Sequence, residues 1–272
     1  MITRTSEAVR DPHFGTHEGA ILRIWDQMQR LQTDFTIAQE LSFYYTSPQW
    51  HEARAVLDIG TGNGYYLKRI SARFPNKSYT GIDISAELVG IANRETCNND
   101  VSFKVSDLFD HTGTYDFVLM RLLLQHLEDI PTVLDHVSRL TRPGGTALII
   151  DANDPVRFFY PMLPQFTAFF AAYAEHEGRA GRDRSVANRI EKALSKSPTW
   201  IHGGTLPLLI PSTINGNLEL FTQTYVLLVD LVREVGELTY DFESVKEAWR
   251  RWSVLPDAYT QVGLNLIRID RI

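Results

Sequence analysis

Cysteine is almost absent from this chain, and so are basic runs and unbroken apolar stretches. The one cysteine, Cys97, excludes an intrachain disulfide and reads as a small buried hydrophobe rather than a nucleophile. Lys and Arg number 27 against 33 Asp and Glu, a formal net charge of −6. Without a basic run, nonspecific nucleic-acid binding is not expected. Residues 1–20 carry Arg4, Glu7, Arg10 and Asp11 and lack an apolar core segment, so they do not read as a signal peptide. The greasiest long stretch, 155–174, is broken by Pro155, Arg157, Pro161 and Pro164, which argues against a membrane span. No His, Cys or Glu cluster has metal-ligand spacing, and no metal is expected. A soluble cytoplasmic protein is the default expectation.

What is present is a chain of 272 residues, 44% of them hydrophobic, enough for one large core with an appended layer. No internal repeat or low-complexity segment is visible. The most informative stretch is 55–64, where Val56, Leu57 and Ile59 form a short apolar strand that runs into Gly60, Gly62 and Gly64. A helix expected from near Asn63 through Phe74 would aim its free N–H groups at the same space. The dinucleotide spacing G-x-G-x-x-G fails, because Tyr65 and Leu67 stand where glycine is required. Asp58, just before the glycines, would repel a pyrophosphate and welcome a cation. A tight turn that binds nothing is the bland alternative.

A second strand is expected over 78–84, with Asp83 at its carboxyl end, close to the offset of about 20 residues at which an acidic group meets ribose hydroxyls. Asp83 as an N-cap is the other reading, a role Ser85 fills as well. Further strands are expected at Val101–Val105, Tyr115–Met120 and Thr146–Ile150, with helices near 86–97 and 126–141. Strands alternating with helices predict an α/β fold, a doubly wound, mostly parallel sheet covered on both faces. In such sheets ligands bind beyond the strand carboxyl ends, where Gly60–Gly64, Asp83, Asp107, Arg121 and Asp151 collect.

These residues, over roughly 53–151, resemble the class I Rossmann-like S-adenosyl-L-methionine-dependent methyltransferases, small-molecule type. The resemblance implies a seven-stranded sheet and a cofactor site. Asp58, Gly60, Gly62 and Gly64 match the glycine loop, Asp83 the ribose ligand and Ile84 the residue beside adenine. Ser106, Asp107 and Leu108 resemble the adenine-edge segment, although Asp107 also suits a plain turn. Arg121 departs from the small or polar residue common there; it reaches the cofactor or else pairs with Asp151 or Asp154. His126 resembles a polar position near the transferred methyl and is the candidate base, with a helix-start histidine as the alternative. His13, His17 and His202 lie in ill-defined segments.

Around this core, residues 1–52 are expected to form a helical cap, with an amphipathic helix over Gly19–Tyr45. Residues 152–272 are expected to add a helical lid and the closing strands. The lid holds helices near Pro164–His176, 185–196, Asn217–Val235 and Asp241–Trp252, and strands at Thr199–Ile210 and Gly263–Ile269. Pro207 is a reason for doubt in the first of these strands. The expected activity is O- or N-methylation of a small molecule, for instance a secondary metabolite, by in-line transfer. A non-transferase on the same scaffold, such as a cyclase or a cofactor-binding regulatory protein, is the alternative. The acceptor and the oligomeric state are not read from the sequence.

Overall fold

Strand β1 (Ala55–Ile59) is apolar on both faces, with Val56 and Leu57 fully buried and Ile59 nearly so. That pattern belongs to a parallel strand covered on two sides. The computed structural model describes residues 19–96, 98–179, 181–214, 216–236 and 238–272. Residues 1–18, with His13 and His17, and Cys97 lie outside them.

Beside β1 lie β2 (Ser78–Asp83), β3 (Val101–Val105), β4 (Tyr115–Arg121) and β5 (Thr141–Ala152), all parallel to their neighbours. Then come β6 (Phe158–Tyr160), β7 (Trp200–Pro211) and β8 (Tyr259–Arg271). The sheet order is β3-β2-β1-β4-β5-β8-β6, with β7 also paired to β8. Strand β8 runs antiparallel to β5, β6 and β7. Among the described residues there are therefore eight strands, not the expected seven. The addition is β6, three residues in the proline-broken stretch that pair with Tyr259–Gln261. A strand so short leaves no alternation to read. Pro207 fits because β7 pairs with β8 alone among the described strands, and an edge tolerates a missing N–H.

The helices are α1 (Gly19–Thr46), α2 (Pro48–Glu52), α3 (Tyr65–Arg73), α4 (Ala86–Arg94), α5 (Ile130–Leu140), α6 (Pro164–Arg179), α7 (Ala187–Leu194), α8 (Asn217–Val235) and α9 (Phe242–Ser253). Alternate strand residues point to opposite faces. Val56, Phe117, Leu148 and Leu266 enter one core with residues of α1, α3, α8 and α9. Leu57, Val118, Ile149 and Ile267 enter a second with α5 and α7. The first core is rich in aromatics: Phe35 of α1 meets Phe221 of α8 at 4.6 Å, and Phe166 of α6 meets Trp249 of α9 at 4.8 Å. The amphipathic leader helix and the lid helices thus share one core with the sheet. No described helix is long and apolar enough to cross a membrane.

Candidate active site

The loop after β1 has all three glycines at positive φ: Gly60 at 73°, Gly62 at 56° and Gly64 at 69°. An L side chain is strained in that region, so the turn itself demands glycine. Position 62 has a second reason. A Cβ there would lie 2.4 Å from Gln29 Oε1 of α1. The helix begins at Tyr65 rather than near Asn63, because Gly64 is left-handed and Asn63 Oδ1 accepts from Tyr65 N at 3.0 Å. Helix α1 clasps the loop from above. Gln29 Oε1 accepts from Asn63 N at 2.9 Å, and Asn63 Nδ2 donates to Asp26 Oδ1 at 2.7 Å. Gln29, Asp26 and Asn63 carry no motif and were missed by the sequence reading.

Asp58 is buried and faces the cleft below α1, with Oδ2 accepting from Thr61 Oγ1 at 2.7 Å. Burial pushes its carboxyl up to about 7, against weaker opposing effects of Thr61 and Arg121. Asp83 is half-buried at the end of β2, and its two oxygens accept from Gly62 N at 2.8 Å and Ser85 N at 2.9 Å. The N–H of Ile84 also bonds this carboxylate, which keeps acceptor capacity beyond these three donors. Burial raises this carboxyl too, against the backbone N–H groups that favour its charge. The cap of α4 is Ser85, whose Oγ accepts from Leu88 N at 3.2 Å, so Asp83 is not spent as a cap.

Ser106 N donates to Asp83 O at 2.9 Å, which brings the 106–108 segment beside Asp83. Asp107 Oδ1 accepts from Phe109 N at 2.9 Å, the turn geometry that its neighbours in sequence suggested. Leu108 is buried in the second core. Ile84, next to Asp83, is half-buried.

Arg121 lines the cleft at the end of β4, but its partner corrects the expected pairing with Asp151 or Asp154. Arg121 Nε donates to Glu40 Oε2 at 3.1 Å, and Nη2 to Glu40 Oε1 at 3.1 Å and Thr36 Oγ1 at 2.8 Å. Its guanidinium lies 4.4 Å from the ring centroid of Tyr66. Glu40 is fully buried, and the pair anchors α1 to the sheet. Asp151 instead accepts from Gln125 N at 3.2 Å and Ala152 N at 2.9 Å, and burial lifts it to about 7.

His126 ends a short 3-10 turn, Leu124–His126, and lines the same cleft. Burial, reinforced by Arg184 and Arg182, pushes its imidazole down to about 3, so the ring is neutral and a weak base. His202, by contrast, bonds to Thr205 on exposed β7 at 2.9 Å.

The cleft opens between the strand ends and a roof of α1 and α8. Asp58, Gly60, Arg121 and His126 all reach it. Its far wall holds Asp154, Arg157, Phe170, Tyr173, Arg184 and Tyr225, none of which the sequence reading singled out as site residues. One signal was available: Arg157 is a lone charge inside the apolar stretch 155–174.

A cleft beyond strand carboxyl ends, floored by a glycine turn with Asp58 in its lining and Asp83 bonded to the turn from outside that lining, suits a nucleoside cofactor. The comparisons with known proteins agree with it. The chain is similar to the ubiquinone/menaquinone biosynthesis C-methyltransferase UbiE of Desulfotalea psychrophila, 28% identical over 125 residues, 44% of this chain and 49% of that protein. It is also similar to trans-aconitate 2-methyltransferase of Deinococcus radiodurans, 31% identical over 99 residues, 36% of this chain and 38% of that protein. The chain thus spans less than half the length of these curated relatives. In fold it is similar to the geranyl diphosphate C-methyltransferase of Streptomyces coelicolor A3(2), solved with Mg2+, geranyl diphosphate and S-adenosyl-L-homocysteine. The TM-score is 0.53 at 16% identity, over 98% of this chain and 88% of that one. A sequence model of methyltransferase domains matches residues 30–192, which take in the later part of α1 with Glu40, the glycine loop, Asp83, Arg121 and the arginines of the far wall. By that match, across more than half its length, the chain belongs to the methyltransferase-domain family.

Proposed function

We propose that this protein is an S-adenosyl-L-methionine-dependent methyltransferase whose acceptor is a small molecule. The observation that carries the reading is the joining, in one roofed cleft, of the glycine turn and Asp58 with a separate polar wall some distance along the chain. The covering of the cleft by α1 and α8 supports a small acceptor over a folded partner. The residues present fit the cofactor. Asp58 is a buried carboxylate beside the turn, suited to a cationic amino group. Asp83, a carboxylate with acceptor capacity to spare, suits a ribose hydroxyl, and Ser106 N bonds its backbone.

When bound, S-adenosyl-L-methionine supplies a methyl group already activated on a sulfonium sulfur. The chain's own part is alignment of the acceptor and exclusion of water by α1 and α8. We read Arg121 as holding the roof through Glu40 and, at its free edge, flanking the cofactor's amino-acid end. We read His126 as a neutral wall of the cleft rather than the base first expected, since burial has removed most of its proton affinity. Asp154 is held below the usual carboxylate range, because Arg184 and Arg157 outweigh the burial that would raise it. The cleft therefore favours an acceptor that arrives with its lone pair available over one that must be deprotonated in place.

Calorimetry with S-adenosyl-L-homocysteine and S-adenosyl-L-methionine tests the binding half of this reading, and no heat of binding for either compound refutes it. Turnover is tested by following release of the demethylated cofactor over a panel of amines, phenols and carboxylic acids. Silence across a broad panel, with binding intact, moves the protein to the non-transferase alternative.

A further inference from the structure

The far wall of the cleft is built from donors that lack an acceptor. Asp154 bridges two arginines: Arg157 Nη2 donates to its Oδ1 at 2.6 Å and Arg184 Nε to its Oδ2 at 2.6 Å. The side chain of Arg157 is only 9% exposed, yet its Nε and Nη1 have no hydrogen-bond partner. Tyr225 Oη, buried beside it, has no close partner either; its polar contact is a longer one with the Arg157 guanidinium itself. Phe170 covers the guanidinium of Arg157, 3.5 Å from ring centroid to Cζ, and lies 5.4 Å from that of Arg184. Buried polar groups are ordinarily satisfied, and a charged donor left without a partner is costly. Unmatched donors of this kind imply a missing acceptor of hydrogen bonds.

Charge narrows the class. Two guanidinium groups against one carboxylate leave one positive charge on the wall. His126 is neutral, Arg121 is matched by Glu40, and Arg182 by Glu177 through bonds of 2.8 and 2.9 Å. A single negative charge balances this wall, and Asp58 and Asp151 close by, carboxyls that burial lifts to about 7, tell further against a dianion. A carboxylate oxygen accepts from such a guanidinium N–H in a short charge-assisted bond. The neighbouring lining, Phe170, Tyr173, Tyr225 and Leu228, is largely apolar.

We propose that Arg157, Arg184 and Tyr225 form a carboxylate subsite, and that the acceptor is a small monocarboxylate carrying an apolar body. Asp154 is a positioning residue that holds the two arginines and sets the net charge to one. This rests on the methyltransferase reading for its cofactor, but the subsite is tested apart from turnover.

The probe is phenylacetate, with uncharged phenylacetamide and dianionic phenyl phosphate as controls. Each is titrated by calorimetry into the full chain saturated with S-adenosyl-L-homocysteine. Phenylacetate should bind at least tenfold tighter than either control. Arg157→Met should remove that preference, and Arg157→Lys should restore part of it. Asp154→Asn, which frees a second positive charge, should shift the preference from phenylacetate toward phenyl phosphate, a change of selectivity that merely structural damage does not produce; an unchanged preference overturns the charge assignment. Retained affinity for S-adenosyl-L-homocysteine in each variant reports that the cleft is intact. Equal binding of acid and amide, or tighter binding of phenyl phosphate, overturns the carboxylate subsite while the cofactor reading stands. Loss of the arginine dependence in variants that keep S-adenosyl-L-homocysteine affinity also overturns it. Failure of the unmodified protein to bind S-adenosyl-L-homocysteine refutes the cofactor reading instead.

Discussion

Removing the charge of Glu40 leaves Arg121 ionised, buried and without its carboxylate. In Glu40→Gln the volume is kept, so the cavity cost of a truncation does not enter. What is lost is the ionic character of the contacts at 3.2, 3.1 and 3.1 Å between Arg121 and the two oxygens of Glu40. Solvent does little to screen them, since Glu40 is 0% and the Arg121 side chain 9% exposed. Breaking a buried pair from one side costs about 3–5 kcal/mol. Thr36 Oγ1 and the ring of Tyr66 remain as partners, and a cation over a ring recovers about 0.5–2 kcal/mol. The expected loss is therefore about 3 kcal/mol. With a urea slope of about 3 kcal/mol/M, the midpoint falls by roughly 1 M. Fluorescence and circular dichroism should be followed together, so that separate unfolding of α1 is not mistaken for a global shift. In the double variant Glu40→Met, Arg121→Met both charges go, and most of the loss should return, because desolvation of the pair offsets much of its attraction. A midpoint shift in Glu40→Gln below about 0.3 M would refute the buried pair. So would a double variant no better than the single one.

Three further outcomes follow from the loop and its carboxylates. Asp83→Ala should weaken S-adenosyl-L-homocysteine by about 10- to 100-fold, the loss of about 1.5–3 kcal/mol expected for a charge-assisted hydrogen bond, and unchanged affinity removes the ribose assignment. Asp58, held up at about 7 by burial, makes its protonated form the native one in mild acid. Its folded pKa lies above the unfolded value, so its contribution to stability is complete below about pH 4, falls as pH rises toward about 7, and then levels. A cation bound beside it favours the ionised form, so cofactor binding near pH 6 should expel close to one proton. Calorimetry in buffers of different ionisation enthalpy reads that proton, and Asp58→Asn should abolish it; zero release in the unmodified protein sinks the assignment. Gly62→Ala meets both a φ of 56° and the Gln29 side chain. It should cost at least about 1–2 kcal/mol in thermal unfolding, with Gln29→Ala relieving the contact but not the backbone strain. Full recovery in the double variant would show that only the contact mattered.

Much of the cofactor half was legible because it is encoded locally. The run Val56-Leu57-Asp58-Ile59 must be a strand buried on both faces, and the glycines at 60, 62 and 64 announce a turn that only they tolerate. Helix α8 and strand β3 were expected at the bounds they occupy, since their patterns are long or cleanly alternating. Partners across the chain left no such trace. Arg121 finds Glu40, 81 residues earlier, because α1 crosses the carboxyl end of β4. Nothing local distinguishes Glu40 from Asp151 or Asp154 as its partner. Strand β6 exists only because β8 offers it an edge at Tyr259–Gln261.

The same contrast divides the cleft itself. Its glycine end is made largely of backbone, in a turn whose shape is set by four or five consecutive residues, so a motif can describe it. Its far end is made of side chains from the segment after β5, from α6, from the turn before α7 and from α8, meeting over long separations. Such a wall changes with single substitutions while the turn stays fixed, which is how one scaffold serves many acceptors. The turn that carries the motif and the wall at the other end of the cleft therefore come from different parts of the chain. In the proposed subsite the choice rests on Arg157 and Arg184, charges that no local pattern would mark as partners until Asp154 is seen between them.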